Sequence, residues 1–132
     1  MSAQRTPSGD DGQLNVLGLP LEPCGTDPMT GFLRDGRCWA GPQDMGSHTI
    51  CVRVTAELLA FMRDHGNDLI TPIPEYGFPG LQPGDRWCVV AAYWKLAYDE
   101  GVIGPVYLLR TNQKALEIVS LAELKPHALD LS

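Results

Sequence analysis

The chain has 132 residues, of which 44% are apolar and 20% charged, as is usual for one globular domain. Its formal net charge is −6 and it has no run of Lys or Arg, which argues against a nucleic-acid or membrane partner. The apolar run that contains Cys88 to Trp94 is far shorter than the roughly 20 residues that span a bilayer. Residues 1–13 lack the apolar stretch of a secretory signal, so we expect a cytoplasmic protein with a flexible tail (1–13) and one domain (14–132).

The first predicted elements are two short extended segments. Leu14–Leu21 is apolar but contains a proline, which favours an edge strand. Residues 32–39 have Asp-Gly at their centre, the pair that a type I′ turn prefers. We therefore expect a β-hairpin in which Phe32 faces Trp39.

A strand, a helix and a long loop are predicted next. Ile50–Val54 alternates like a half-buried strand, and Thr55 is placed to cap a helix that ends near His65. Residues 66–85 contain four prolines and cannot form a helix or a central strand. A loop of this length in a small domain is often functional, and we expect Phe78 and Leu81 to anchor it.

The last third alternates strands and helices. Trp87–Val90 predicts a buried strand, 92–100 a helix and Val106–Leu109 a further strand. Asn112 is placed to cap another helix, and Ser120-Leu-Ala-Glu123 is a capping box. The predicted fold class is α+β: a mixed sheet with a β-hairpin and three to four helices packed on it.

The cysteines stand at positions 24, 38, 51 and 88. They form no Cys-x-x-Cys pair and match no zinc-finger spacing. Because cytosolic thiols are usually reduced, we expect all four to be free.

The polar residues of the predicted loop and hairpin suggest a binding site at the mouth of a cleft between them. A few polar groups in a cleft bordered by loops are typical of a ligand site. The predicted ligand-binding residues are Arg34, Asp35, His48, Asn67, Asp68, Asp85 and Arg86. The partner would be a small molecule or a protein, and we expect no cofactor and no metal.

Two alternatives use the cysteines. In a thiol-dependent enzyme or redox protein, Cys51 or Cys88 would react with His48 as the base. On an extended strand, His48 and Cys51 would point to opposite faces, so this pair requires the turn at Gly46-Ser47 to continue past the histidine. In a structural zinc site, the ligands would be Cys38, His48, Cys51 and Cys88.

Seven segments together resemble an uncharacterised bacterial family, domain of unknown function number 2237, from Asn15 to Ala128. They are Asn15-Val-Leu-Gly-Leu-Pro-Leu, Pro28-Met-Thr-Gly-Phe, Arg34-Asp-Gly, His48-Thr-Ile-Cys51, Gly66-Asn-Asp-Leu, Gly77-Phe-Pro-Gly-Leu and Pro83-Gly-Asp-Arg-Trp-Cys88. The resemblance implies no activity. Members of the family often carry Cys or His where this chain has Arg37, Val90 and Asn112, and these departures argue against a metal here.

Overall fold

The computed structural model describes residues 12–44 and 47–130. Most of the predicted tail (residues 1–11) and Met45-Gly46 lie outside the described residues. Gln13, the last residue of that tail, donates from Nε2 to the carbonyl oxygen of Ala40 at 2.7 Å, so it is attached to the domain. The architecture is α+β, which confirms the predicted class.

The centre of the fold is a two-stranded sheet. β1 (His48–Arg53) and β2 (Arg86–Val90) pair antiparallel, with Cys51 opposite Cys88. Both predicted strands are thus confirmed. The pairing is antiparallel, so the predicted mixed sheet does not form within the described part of the chain.

The described residues form three α-helices, α1 Ala56–Asp64, α2 Ala91–Asp99 and α3 Leu121–Leu124, and of these α1 and α3 begin at predicted capping residues. Thr55 Oγ1 accepts from the Leu58 amide at 3.1 Å at the start of α1, as predicted. The capping box between Ser120 and Glu123 is present at the start of α3. None of the helices in the described residues is long and apolar enough to cross a membrane.

One face of the sheet packs against α1 and α2 and forms the apolar core. Ile50 and Val52 of β1 and Trp87 and Val89 of β2 belong to this core. Gly104 packs closely against this core, where an added Cβ would be 2.8 Å from a Leu58 methyl carbon and 2.9 Å from a Val52 methyl carbon. Burial of these side chains is the main driving force for packing the helices on the sheet.

The proline-rich stretch forms the predicted loop. It contains one 3-10 turn, Pro74–Tyr76, and it forms no strand longer than a single bridge. Phe78 and Leu81 are 4% and 3% exposed, which confirms that they anchor the loop. The Phe78 ring lies 5.2 Å from that of Trp87, so the loop is held against β2.

The predicted β-hairpin at 32–39 is wrong, because this segment pairs with an earlier part of the chain rather than with itself. The Gly36 carbonyl oxygen accepts from the amides of Cys24 and Gly25 at 2.6 and 3.1 Å. Arg34, rather than Asp35, takes the positive φ. The predicted aromatic pair forms without a hairpin, with ring centroids 6.2 Å apart.

Two other predicted strands are single bridges instead. In 14–21 the chain curls around buried Asn15, whose Oδ1 accepts from the Leu17 and Leu19 amides at 2.9 and 3.1 Å. In 106–109 only Val106 pairs, and the chain continues as the 3-10 helix Leu108–Arg110. Strand pairing stops there because the Asp130 carboxylate accepts from the Leu108 and Leu109 amides.

The helix predicted after Asn112 is a 3-10 helix, Gln113–Glu117. Asn112 caps it as predicted, because its Oδ1 accepts from the Lys114 amide at 2.9 Å. The side-chain Nδ2 of Asn112 also donates to the Cys38 carbonyl oxygen at 3.0 Å, and this hydrogen bond attaches the 3-10 helix to the N-terminal loop.

Candidate functional site

The second face of the sheet carries a buried cysteine cluster. Cys51 and Cys88 point to this face, and Cys24 and Cys38 reach them from the N-terminal loop. The pairs Cys24–Cys51 and Cys38–Cys88 are disulfides, so the expectation of four free thiols is wrong. That expectation relied on the usual reduced state of cytosolic thiols. In the fold, the Cα atoms of Cys24 and Cys51 are 5.6 Å apart and those of Cys38 and Cys88 are 5.3 Å apart, within the range that a disulfide spans.

The disulfides change what the predicted thiol candidates can do. Cys51 and Cys88 are 0% and 1% exposed and carry no free thiol in this state. A nucleophile must be an accessible thiolate, so a thiol reaction would first require reduction. The predicted zinc set is not assembled either, since the ligand atoms that lie within 4.8 Å of one another in the described residues belong to Cys24, Cys38 and Cys88.

A cavity of about 250 Å³ opens beside this cluster. Its polar lining comes from Arg34, His48 and Asn67, three of the predicted ligand-binding residues, and Cys88 of β2 also lines it. The cavity therefore lies along β2. It is bordered by the turn at residues 31–34, by the first residue of β1 and by the segment that follows α1, residues 67–69.

Aromatic and aliphatic side chains form the rest of the cavity wall. Phe32, Leu69 and Trp87 line it, and the Phe32 ring centroid lies 6.1 Å from that of His48. Trp87 and Leu69 are joined to the apolar core, so this part of the wall is fixed by packing.

His48 is held by a buried acid that precedes it. Its Nδ1 lies 2.7 Å from Asp44 Oδ1, and its backbone amide donates to Asp44 Oδ2, also at 2.7 Å. Only 1% of the Asp44 side chain is exposed, against 36% for His48. Because a carboxylate only accepts, Nδ1 carries the proton in this contact, and Nε2 is the ring nitrogen left for other partners.

Arg34 is held over aromatic rings. Its guanidinium carbon lies 5.3 Å from the Trp87 ring centroid and 5.9 Å from that of Phe78. Its backbone has a φ of +55°, a conformation that non-glycine residues rarely adopt. Gly31 begins the turn that presents it, and an added Cβ there would be 2.2 Å from the Arg37 carbonyl oxygen. Only glycine fits at that position.

The four other predicted ligand-binding residues do not line this cavity. Asp35 Oδ1 accepts from the Arg37 amide at 3.1 Å, whereas Oδ2 is buried without a hydrogen bond in the described structure. Arg86 Nε donates to the Cys24 carbonyl oxygen at 2.8 Å, so it supports the cysteine cluster instead.

Asp68 and Asp85 shape the long loop. Asp68 accepts from the Thr71 hydroxyl and from the Ile70 and Thr71 amides, and these hydrogen bonds, the hydroxyl first, lower the pKa of the carboxyl. Asp85 Oδ2 accepts from the Gln82 amide at 2.9 Å. Both carboxylates therefore stabilise turns.

Sequence reasoning missed Asp44 and the aromatic wall. Asp44 precedes His48 by four residues, but the sequence predicts no helix over this stretch, so the spacing carries no periodic signal. Phe32 was assigned to a hairpin and Trp87 to the interior of a strand, and only the tertiary fold shows that both also face the cavity.

A larger groove of about 580 Å³ lies elsewhere, beside Gln13, Pro42 and Lys114. It is also lined by Glu117 and by Gly12, where the described part of the chain begins. None of the predicted site residues lines it, so it carries no functional argument.

The apolar core and the cysteine cluster both lie within the segment that matches a known family. No curated protein matches this chain. Residues 14–128 match the family described as an uncharacterized protein conserved in bacteria (DUF2237). The match covers most of the chain and agrees with the extent of the resemblance in the sequence. The chain belongs to this uncharacterised bacterial family.

Proposed function

We propose that the cavity binds a small organic anion, a carboxylate with a compact apolar body. One observation carries this proposal: Arg34, His48 and Asn67 converge on a cavity whose described lining contains no Asp or Glu, in a chain of net charge −6. A cavity lining that offers a guanidinium and no carboxylate attracts and retains an anion.

The guanidinium of Arg34 in the cavity suits a carboxylate ligand. A guanidinium presents a planar fork of N–H donors that binds a carboxylate through two parallel hydrogen bonds. The Trp87 ring lies 5.3 Å from the guanidinium carbon of Arg34, which limits the positions available to it. Asn67 adds an amide group at the same cavity, and amides both donate and accept.

His48 supplies a positioned ring nitrogen. Asp44 fixes the imidazole through Nδ1, so Nε2 donates to a ligand carboxylate when the ring is protonated and accepts from a ligand donor when the ring is neutral. Phe32, Leu69 and Trp87 provide apolar surface for the body of the ligand. At about 250 Å³ the cavity is smaller than the ~300–1,000 Å³ of sites for drug-sized ligands, which favours a small one.

The backbone around the cavity is unusual. In the described residues, positive φ occurs at two non-glycine positions, Arg34 and Ser47. The first lines the cavity itself, and the second directly precedes His48. Such conformations cost on the order of 1–3 kcal/mol each and concentrate at ligand sites, which supports a binding role for this turn.

Nitrogen-15 NMR titration of the full chain tests the proposal. Benzoate is the probe, and benzyl alcohol, which keeps the ring but has no charge, is the matched ligand control. We expect benzoate, and not benzyl alcohol, to shift the amides of residues 31–34, 48, 67 and 87–90. Inorganic phosphate is expected to shift the same amides more weakly, because it has no apolar body.

Arg34→Gln is the decisive variant and Arg63→Gln its matched control, since Arg63 lies on α1, with its side chain 52% exposed, away from the cavity lining. Loss of a bidentate charged contact, about 1.5–3 kcal/mol, predicts benzoate binding weakened by roughly tenfold or more for Arg34→Gln only. Equal binding by the two variants, or no benzoate response in the wild type, would contradict the proposal.

A thiol-dependent reaction is a second candidate because His48 and Cys88 line the same cavity. It requires the reduced protein and fits the cytoplasmic location that we propose from the sequence. Iodoacetamide labelling of reduced, metal-free protein tests it. Faster alkylation of Cys88 in the wild type than in His48→Ala would support a base role for the histidine, and equal slow rates would end this candidate.

A further inference from the structure

The two disulfides lie against each other, and this carries an inference independent of the anion cavity. The Sγ atoms of Cys24, Cys38 and Cys88 all lie within 4.8 Å of one another. The Sγ of Cys51 lies outside this group of three but is bonded to that of Cys24, so the fourth sulfur atom is next to the group. Every one of these residues is at most 1% exposed.

This spacing is close to that of a zinc–thiolate centre. Zn–S bonds of about 2.3 Å in a tetrahedron place neighbouring sulfur atoms about 3.8 Å apart. Relative to Cys38 and Cys88, the Cys24 sulfur therefore needs to move by about 1 Å or less from its upper limit of 4.8 Å, and the two bonded pairs separate to the same spacing once they are reduced. We propose that the reduced protein binds one Zn²⁺ through the thiolates of Cys24, Cys38, Cys51 and Cys88.

The conversion balances with a dithiol as reductant. Each protein disulfide takes two electrons and two protons from one dithiol molecule, which is itself oxidised to a disulfide. Two dithiols thus convert the two S–S bonds into four thiols. Zn²⁺ then displaces four protons and leaves a centre with a charge of −2, and a disulfide-forming oxidant reverses the process with release of the metal.

The surroundings suit both steps. Cys88 lines the anion cavity but is only 1% exposed, so a small dithiol that enters the cavity reaches the Cys38–Cys88 bond when the covering loop opens locally. The thiolates released there lie within 4.8 Å of the Cys24 sulfur, close to the second disulfide. Arg86, held by the Cys24 carbonyl oxygen at 2.8 Å, brings a positive charge beside the anionic centre.

The cluster assigns a ligand set different from the one that the sequence suggested. Cys24 takes the place of His48, because the histidine Nδ1 is engaged by Asp44 and its ring lines the cavity. Cys24 precedes the sheet by more than twenty residues, and its place in the set comes only from the tertiary fold.

Cobalt titration of the reduced full chain tests the proposal. The protein is reduced with dithiothreitol, freed of reductant by gel filtration under nitrogen, and titrated with Co²⁺ and then Zn²⁺. We expect one Co²⁺ per chain, with the visible bands of a tetrahedral site and the near-ultraviolet thiolate-to-cobalt charge transfer, and complete displacement by Zn²⁺. The oxidised protein should show none of these bands.

Two variants distinguish the ligand sets. His48→Ala should give the wild-type cobalt spectrum, and Cys24→Ser should lose its four-sulfur intensity. The wild-type titration needs no variant to fold, so absence of stoichiometric Co²⁺ binding by the reduced wild type overturns the proposal outright. Loss of the spectrum in His48→Ala with retention in Cys24→Ser would also overturn it. Because benzoate binding is measured on the oxidised protein, either proposal can fail without the other.

Discussion

The two faces of the β1–β2 sheet are buried by different means. On one face, Ile50, Val52 and Val89 pack against α1 and α2, and the contact is apolar throughout. On the other, Cys51 and Cys88 are covered by an irregular loop that two disulfides attach. A regular helix buries a continuous stripe of its side chains, whereas an irregular loop has no such stripe, and cross-links stabilise its position.

The same difference bears on the proposed binding site. The proposed anion cavity lies along β2 between the two faces, where Cys88 of the loop-covered face lines it together with Trp87 and Leu69 of the apolar core. The loop-covered side adds the positive-φ turn at Arg34, and His48 with its Asp44 contact completes the polar lining. Sites on loops that a rigid scaffold positions are a common arrangement for binding.

The largest expected effect comes from removing a cross-link on the loop-covered face. The double variant Cys38→Ala, Cys88→Ala opens a loop of 50 residues, which the chain-entropy relation values at about 4 kcal/mol of unfolding free energy. Urea denaturation of the oxidised, metal-free protein measures it. The pair Cys24→Ala, Cys51→Ala, with a separation of 27, should lose about 3.5 kcal/mol, and a loss below about 1 kcal/mol in both would show that the loop is held by other contacts.

The helical face is tested by a cavity-forming substitution. Leu58→Ala removes a fully buried side chain from α1 and should lower the unfolding free energy by about 3 kcal/mol. Leu96→Ala, at a position of α2 that is 42% exposed, is the matched control and should cost less than about 1 kcal/mol. Similar losses in the two variants would mean that the apolar core is not where the structure places it.

A smaller effect is expected at the start of α1. Thr55→Ala removes the hydroxyl that accepts from the Leu58 amide and should cost about 1 kcal/mol in the same denaturation assay. Thr55→Ser retains the hydroxyl and should retain most of the stability. If serine were no better than alanine, the cap would not be the source of the loss.

The smallest effect is a pH dependence from an ion pair between α2 and α3. The Lys95 ammonium, followed by the Ser120 amide, holds the pKa of Glu123 below its ordinary value, and Glu123 in turn raises the pKa of Lys95. A depressed carboxyl pKa stabilises the fold above the ordinary value of that pKa, and this contribution disappears as the pH falls through the folded pKa. The raised pKa of Lys95 contributes stability below the ordinary value of that pKa, and this contribution is lost as the pH rises through the pKa of the folded state.

Thermal melts of the wild type and Glu123→Gln across the acid range measure the contribution of this ion pair to stability. As the pH falls and the Glu123 carboxylate takes up a proton, the wild type should lose stability. Glu123→Gln has no carboxyl group at this position and should lose less. Lys95→Met should flatten the same acid limb, since the lysine is the main cause of the shift. Acid limbs of equal size in all three proteins would assign the pH dependence to other groups.

Local signals explain what the sequence predicted correctly. The Thr55 cap, the Ser120 capping box and the alternation of Ile50–Val54 all operate within a few residues, so each element is visible in a short window. Phe78 and Leu81 were predicted as anchors because they are the large apolar side chains of a polar, proline-rich loop.

The errors share a physical cause. The segment 32–39 has the local chemistry of a hairpin, but its Gly36 carbonyl bonds residues 24–25 and Cys38 is bonded to Cys88, fifty residues away. Nothing in a short window reports such a partner. The same cause limits the candidate site: the structure brings Arg34, His48 and Asn67 to one cavity, whereas Asp44 and Cys24 enter through tertiary contacts alone.

Disulfide mapping tests most directly the claim that two specific cross-links hold the loop on the sheet. The oxidised protein is treated with a chelator, alkylated, digested without reduction and analysed by mass spectrometry. The structure predicts peptides that link Cys24 to Cys51 and Cys38 to Cys88. Alkylated cysteines, or a peptide that links Cys51 to the opposite Cys88, would contradict it.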